Sequence, residues 1–404
     1  MHTPISRQRA VQELLRIARP LKSEAISPMD GVGLVAAHDV KALCNVPEHA
    51  CSVRDGYALR AEDVKLAGTM KPVRLAVGEC IRAESTAPGR VGKGQTARVL
   101  TGGPIPPGAD AVLAEEDVET ENGDILVRTP VRSGWFVRAV GGEIRKETII
   151  TETGRIISPQ AAAVMTRTRV SSVLAHPRPQ ARILALGSEL AAPGCEEHGM
   201  ARFPADNLIL LRGLFEQSGA MVIKTGVMPD DENRLVKTLS ATDLPDLVVT
   251  TGGTGNSERD FTRMAAQESG FTPIFSRIDI RPGRNMVAAV RGNTLLFCLP
   301  GPPAAVHACY HAVILPVVRR LRGLPDREQP LKARFTKGIN VHPGSEWMVQ
   351  CELNIQGSAI TATPFAGKEV PPMFGLGRAH GLAVLQSGDS ILRGEETEIL
   401  TTLF

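Results

Sequence analysis

Residues 246–263, "DLVVTTGGTGNSERDFTR", carry a buried strand into a glycine turn and then into a helix. The spacing matches neither Gly-x-x-x-x-Gly-Lys-[Ser/Thr] nor Gly-x-Gly-x-x-Gly, so the turn is no familiar phosphate fingerprint. The surrounding chain repeats its texture. "RILALG" (182–187), "MVIKTGVM" (221–228) and "NTLLFCLP" (293–300) are apolar runs of strand length. Helical stretches separate them, among them "DNLILLRGLFEQSG" (206–219), where Asp206 can cap and Gly219 can end the helix. Such alternation with continuous apolar strands predicts a doubly wound parallel sheet covered on both faces. It spans 177–325 and closes with one long helix, "PAAVHACYHAVILPVVRRL" (303–321).

Outside that region the texture changes. Residues 4–19 place Ile5, Val11, Leu14, Leu15 and Ile17 at helical spacing. Between 49 and 138, short β-type runs alternate with Gly, Pro and charge clusters, as in a small β domain. Residues 139–176 include "SPQAAAVMTRT", a helix begun by Ser158 with proline at its first position. The tail, 326–404, returns to short β segments such as "GLAVLQSGDSIL" and "ETEILTTLF".

At 404 residues the chain exceeds a single core. A net charge of +3 without a basic run, and 4% aromatic residues, argue against nucleic acid. Seven cysteines occur singly, with no Cys-x-x-Cys pair. No signal core and no 18-residue uncharged apolar run is present, which predicts a cytoplasmic protein without membrane contact.

In an open parallel sheet, ligands bind beyond the carboxyl ends of the strands. Gly252, Gly253, Thr254 and Gly255 let a ligand approach the backbone, and Ser257 followed by Asp260 has capping-box spacing. Glu189 follows the first strand of this region, Asp230 and Asp231 the second, and Asp260 the third. Asp231 also reads as an N-cap for "ENRLVKTL". Carboxylates beside an anion-friendly turn point to a bridging cation, Mg2+ or another divalent ion, held by Glu189, Asp230 and Asp260. The turn "RPGR" can aim Arg281 and Arg284 at an oxyanion. "LPGPP" forms a rigid wall through Pro300, Gly301 and Pro303.

Seven segments fall in the order seen in the MoeA family, which includes the C-terminal domain of gephyrin. They are "RDGYALRAED" (54–63), "TGGPIPPGADAVLAEED" (101–117), "LGSELAAPG" (186–194), "ADN" (205–207), "TTGGTGNSERDFT" (250–262), "RPGR" (281–284) and "LPGPP" (299–303). The chain resembles these molybdopterin molybdenumtransferases nearly end to end. The resemblance implies a mixed domain from two segments (1–48 and 139–176), a β domain (49–138), a molybdopterin-binding α/β domain (177–325) and a C-terminal β-barrel-like domain (326–404). It implies a homodimer with the site between subunits, and molybdate insertion into adenylylated molybdopterin with release of AMP. Asp55 and Thr101 would reach in from the β domain, while Glu189, Asp230 and Asp260 lie on the α/β rim. The glycine turn and the "RPGR" loop would bind phosphate, pterin or oxyanion. A molybdopterin adenylyltransferase is an implied partner.

The sequence also departs from the family. "TIITETG" replaces a Gly-Glu-Asp acid, leaving neighbours such as Glu147. Arginines stand for lysines in "RPGR", and Pro302 stands where asparagine is usual. "TTGGTG" is closer to the related molybdopterin adenylyltransferases. A tungstate-preferring or adenylylating paralogue, or a non-catalytic molybdopterin-binding scaffold, therefore stays open.

Overall fold

The computed structural model describes residues 3–194, 203–254, 261–325, 330–357, 359–366 and 370–401. Helix α1, Arg7–Ile17, starts at Ser6, whose hydroxyl accepts the Arg9 N–H. Its apolar face does not stay local. Ala10, Leu14 and Ala18 join the same buried cluster as Ile183, Phe215 and Val313 of the α/β region.

Segments on either side of the β domain pair with each other, so the mixed domain is discontinuous. Val173–His176 runs antiparallel between Glu24–Ile26 and Val35–Ala36, and Ile149–Thr151 pairs with Val40–Lys41. Helix α2, Pro159–Arg167, is capped by Ser158 as its sequence predicts.

The β domain is one sheet of six strands. In chain order these are β1 (Gly56–Leu59), β2 (Val73–Ile81), β3 (Gln95–Val99), β4 (Ala111–Ala114), β5 (Glu119–Glu121) and β6 (Asp124–Val127), arranged β4-β1-β3-β2-β6-β5.

The α/β domain holds β7 (Gln180–Leu186), α3 (Asp206–Gln217), β8 (Met221–Met228), α4 (Glu232–Leu239), β9 (Leu247–Thr251) and α5 (Thr262–Glu268). β10 (Thr272–Phe275), β11 (Val287–Arg291) and β12 (Thr294–Leu299) complete its sheet, in the order β8-β7-β9-β12-β11-β10. β8, β7, β9 and β12 are parallel, with every residue of β9 buried. β11 runs antiparallel to both its neighbours, β10 and β12, and the two-residue turn Gly292-Asn293 folds it straight back into β12.

The last helical stretch is not uniform. α6 (Pro303–Cys309) passes through a π-turn, Tyr310–Ile314, into α7 (Leu315–Leu321). Pro316 has no N–H and its ring opposes the preceding turn, so the local widening removes a clash that a regular helix would impose.

The C-terminal strands β13 (Leu331–Phe335), β14 (Glu346–Gln356), β15 (Ala359–Pro364), β16 (Gly381–Leu385) and β17 (Glu396–Thr401) close into a five-stranded barrel, β14 pairing with both β15 and β16. No helix among the described residues is long and apolar enough to cross a membrane.

Arg322, just past α7, clasps two regions. Its guanidinium donates to the Ser218 carbonyl (2.7 Å) beyond α3 and to the Gly33 carbonyl (2.9 Å) of the first segment. A side chain at Gly219 (φ +78°) would meet that guanidinium within 2.7 Å. Arg322→Ala strands the buried Ser218 carbonyl and the partly buried Gly33 carbonyl and is expected to lower unfolding free energy by about 2–4 kcal/mol, measured by urea denaturation.

Candidate functional site

A cavity of about 300 Å³ opens at the carboxyl ends of the four parallel strands. Ala185 and Leu186 end β7, Asp230 follows β8, Thr251 ends β9 with Gly252 and Gly253 after it, and Gly301 follows β12; all line it. This is where the winding of a parallel sheet leaves room between outgoing loops.

The floor of the cavity depends on Gly252. Its φ is +94°, and a Cβ there would lie 2.3 Å from the Leu186 carbonyl oxygen. Its N–H donates to the Leu299 carbonyl (3.1 Å), so the turn is held against β12 as well as β7. Gly253 (φ +66°) would bring a Cβ within 2.9 Å of Thr262.

Asn207 fastens the far wall. Its Nδ2 donates to Thr251 Oγ1 (2.9 Å) and to the Gly301 carbonyl (2.7 Å), and Thr251 Oγ1 donates to the Pro300 carbonyl (3.0 Å). The Asn207 Oδ1 is buried without a protein partner. An acceptor left bare on a cavity wall is what a ligand N–H or a water would complete.

Among the described residues, Glu189, Asp206 and Asp230 are the acids that line the cavity, and no Lys, Arg or His lines it. The Asp230 N–H donates to Ser188 Oγ (3.1 Å), tying the loop after β8 to the loop that carries Glu189. Asp231 turns away and caps α4, accepting the Arg234 N–H at 3.0 Å. The adjacent aspartates therefore divide the work: Asp230 faces the cavity and Asp231 holds a helix.

Asp206 differs from its expected role. Ala205 occupies the N-cap position and Asp206 is the first helical residue, with no side-chain cap. Its carboxylate is left on the cavity. Asp206 and Asn207 are site residues that helix-cap reasoning missed; the "ADN" segment carried them without a role.

The remaining residues of interest distribute as follows. Gly255, Ser257 and Asp260 lie outside the described residues. Thr254 is buried, its hydroxyl near the Leu299 carbonyl (3.5 Å). Pro300 contributes its carbonyl to Thr251, and Pro303 opens α6. Arg281 and Arg284 do not line the cavity. Ile280–Arg281 pairs with the start of β14, Arg281 lies over the Trp347 ring (5.9 Å to the centroid), and both side chains are exposed. Among the described residues no three His, Cys, Asp or Glu side chains form a metal cluster.

Asp55 and Thr101 meet elsewhere, on the β domain. The Asp55 carboxylate accepts the Thr101 N–H (2.6 Å) and hydroxyl (2.7 Å). Those bonds hold Asp55 below the usual carboxylate range. Beside them is a second cavity, about 450 Å³, lined by Thr101, Ser52, His49, Arg138, Glu143 and Arg167 among others. Glu147 is not part of it; it faces Lys41 at 3.9 Å.

A doubly wound ligand-binding domain with an acidic cavity, joined to a β domain and a barrel, defines the class of protein. The sequence comparisons then narrow it. Residues 5–168 match the MoeA N-terminal region (domains I and II), and residues 182–320 match the probable molybdopterin binding domain. Molybdopterin molybdenumtransferase 2 of Mycobacterium tuberculosis is 28% identical over 330 residues, 80% of each chain. The molybdopterin molybdenumtransferase of Staphylococcus epidermidis is 25% identical over 390 residues, covering 96% of this chain and 92% of its own. A molybdopterin biosynthesis MoeA protein from Pyrococcus horikosii superposes with a TM-score of 0.84 at 25% identity, over 99% of both chains. The chain belongs to the MoeA family. It is a transferase with a role in molybdenum cofactor biosynthesis, and its α/β domain binds molybdopterin.

Gly252→Ala is expected to cost about 1–3 kcal/mol through its φ and the Leu186 carbonyl. Thermal unfolding would register the loss, and molybdopterin affinity should fall with it.

Proposed function

We propose that the protein inserts molybdate into adenylylated molybdopterin and releases AMP, completing the cofactor. The observation that supports this reading best is the presence of Glu189, Asp206 and Asp230 on one cavity beside Gly252 and Gly253, with no side-chain cation among its described lining residues. Three carboxylates repel a phosphate-bearing pterin unless a divalent cation stands between them. The donor set fits Mg2+, which takes hard oxygen ligands from one or two carboxylates plus substrate phosphates. Glu189 and Asp230 would hold it, with Asp260 as the third acid.

When bound, the cation supplies Lewis-acid polarisation of the phosphate and neutralises charge that develops as the bond to AMP breaks. The chain's own residues do the positioning. Gly252 and Gly253 admit the phosphate tail to the backbone, and Asn207 Oδ1 accepts an N–H from the pterin. Asp55, kept ionised by Thr101, orders a loop that belongs to the same reaction in a homodimer, reaching the α/β cavity of the partner subunit. Adenylylated molybdopterin would arrive from a molybdopterin adenylyltransferase, while Arg281 and Arg284 lie outside the cavity and are given no role in it.

The test is AMP release from adenylylated molybdopterin in Mg2+, with and without molybdate. Molybdate-dependent release supports the proposal. Adenylyl transfer from ATP to molybdopterin, preference for tungstate, or tight binding without turnover would replace it.

Two neighbouring substitutions separate chemistry from structure. Asp230→Asn should reduce turnover by at least roughly a hundredfold at unchanged stability, as loss of a metal-ligating acid does. Asp231→Ala should leave turnover near wild type and cost about 1 kcal/mol through the lost cap. Asp55→Ala should abolish turnover while pterin binding persists; normal activity in that variant would exclude the two-subunit site.

A further inference from the structure

Phe203, Asp206 and Asn207 come from one short stretch, "FPADN" (203–207), and all three line the acidic cavity. The strand Phe203–Pro204 pairs with Leu190–Ala191, and the Phe203 N–H donates to the Glu189 carbonyl (2.8 Å). Pro204 further restricts the residue before it to extended backbone. The backbone of Phe203 is thereby fixed to the loop that carries Glu189. Its ring stays open: at 66% exposure, Phe203 is the most exposed aromatic residue among the described residues.

The two polar side chains beside it offer acceptors. Asp206 makes no capping bond at the start of α3, and its carboxylate has no ion pair among the described residues. Asn207 is 7% exposed; its Nδ2 is used twice, and its Oδ1 is buried without a protein partner. Magnesium takes one or two carboxylates plus phosphate oxygens, so with Glu189 and Asp230 on the ion Asp206 is left over. An open aromatic face next to unused acceptors suits a flat heterocycle whose edge carries N–H donors. The aminopyrimidinone half of a pterin has that edge. Its ring N–H and one amino N–H run side by side, and a carboxylate accepts such a fork as it does the guanidinium of arginine.

We propose that Phe203, Asp206 and Asn207 read the pterin ring. The bicycle lies on the Phe203 face, the Asp206 carboxylate accepts the ring N–H and one amino N–H, and Asn207 Oδ1 accepts a remaining N–H. The assignment rests on the acidic cavity being the molybdopterin site, and it divides the three acids: Glu189 and Asp230 serve the cation, Asp206 the ring. Stacking supplies affinity for any flat heterocycle. The fork supplies selectivity, because an analogue with oxygen in place of the amino group sets an acceptor against a carboxylate.

The test titrates the full-length protein into hydroxymethylpterin and into its lumazine analogue, a fluorescent ring in which an oxo group replaces the amino group; AMP is followed in parallel by calorimetry. Wild type should quench both rings and hold the pterin at least roughly tenfold more tightly. Asp206→Ser should remove that preference while lumazine binding stays near wild type. Phe203→Ala should weaken both rings by roughly tenfold, and Phe203→Trp should restore them. Both side chains are exposed, so thermal midpoints should not move. Shifted midpoints with the ring preference intact would mean that the two residues only shape the helix start, and would overturn the proposal. So would an absence of quenching by wild type, equal affinity for the two rings, or a Phe203→Ala loss confined to AMP, which would give the seat to adenine. The titrations contain no molybdate and no Mg2+. Failure of molybdate-dependent AMP release therefore leaves this inference standing, and loss of the ring preference leaves the reaction standing.

Discussion

The carbonyl oxygen of Leu186 leaves no space for a side chain at Gly252, and much of the α/β site follows from that exclusion. Because the turn after β9 presses against the end of β7, the loops after β7, β8 and β12 are pushed outward around a shared opening. The same turn is pulled toward β12 by the Gly252 N–H on the Leu299 carbonyl. Asn207 then secures the opposite side, bonding Thr251 and Gly301 with one amide nitrogen. The cavity is thus built from backbone and small polar groups, which cost little conformational entropy to hold in place. Its acids hang from that frame and do not define it.

The charge of this frame is its chemical signature. Carboxylates converging without a paired cation are unfavourable, and a fold that needed only stability would disperse them. Their partial separation from Asp55 and Thr101 matters as much. Those two residues form a tight unit on another face of the chain, beside a different cavity. A single subunit therefore carries two cavities, one lined by acids and one lined by arginines beside a held aspartate.

Much of the architecture was legible because its signals are local and periodic. Apolar runs of strand length predicted β7, β8, β9 and β12, and Ser158-Pro159 marked the start of α2. The lining of the α/β cavity was legible where loop position alone decides it, as for Glu189, Asp230, Gly252 and Gly301. It was less so where a contact distant in sequence decides. Asp206 looked like a cap by type, but Ala205 takes that position through its bond to the Ala191 carbonyl and leaves Asp206 on the cavity. Arg281 looked free to face the site, but pairing of its strand with Trp347 commits its backbone to the barrel. The π-turn followed from Pro316, a residue whose effect on the preceding turn depends on whether the helix continues through it.

The departures from the family pattern look different once their surroundings are considered. Pro302 lacks both an amide side chain and an N–H, but it occupies the N-cap position of α6, where a donor would have no helical partner. Its carbonyl still accepts from Ala305 and Val306, so the turn into the helix stays intact. An amide is present at the same wall from another element, since Asn207 Nδ2 bonds the adjacent Gly301 carbonyl. The missing Gly-Glu-Asp acid is a sharper loss. Glu147 points at Lys41, and Glu143, which does line the β-domain cavity, is paired with Arg138. On the proposed reading, the negative charge available to the reaction is thereby concentrated on the α/β rim and on Asp55, so Asp230 and Glu189 would carry more of it than in a site with a further free acid.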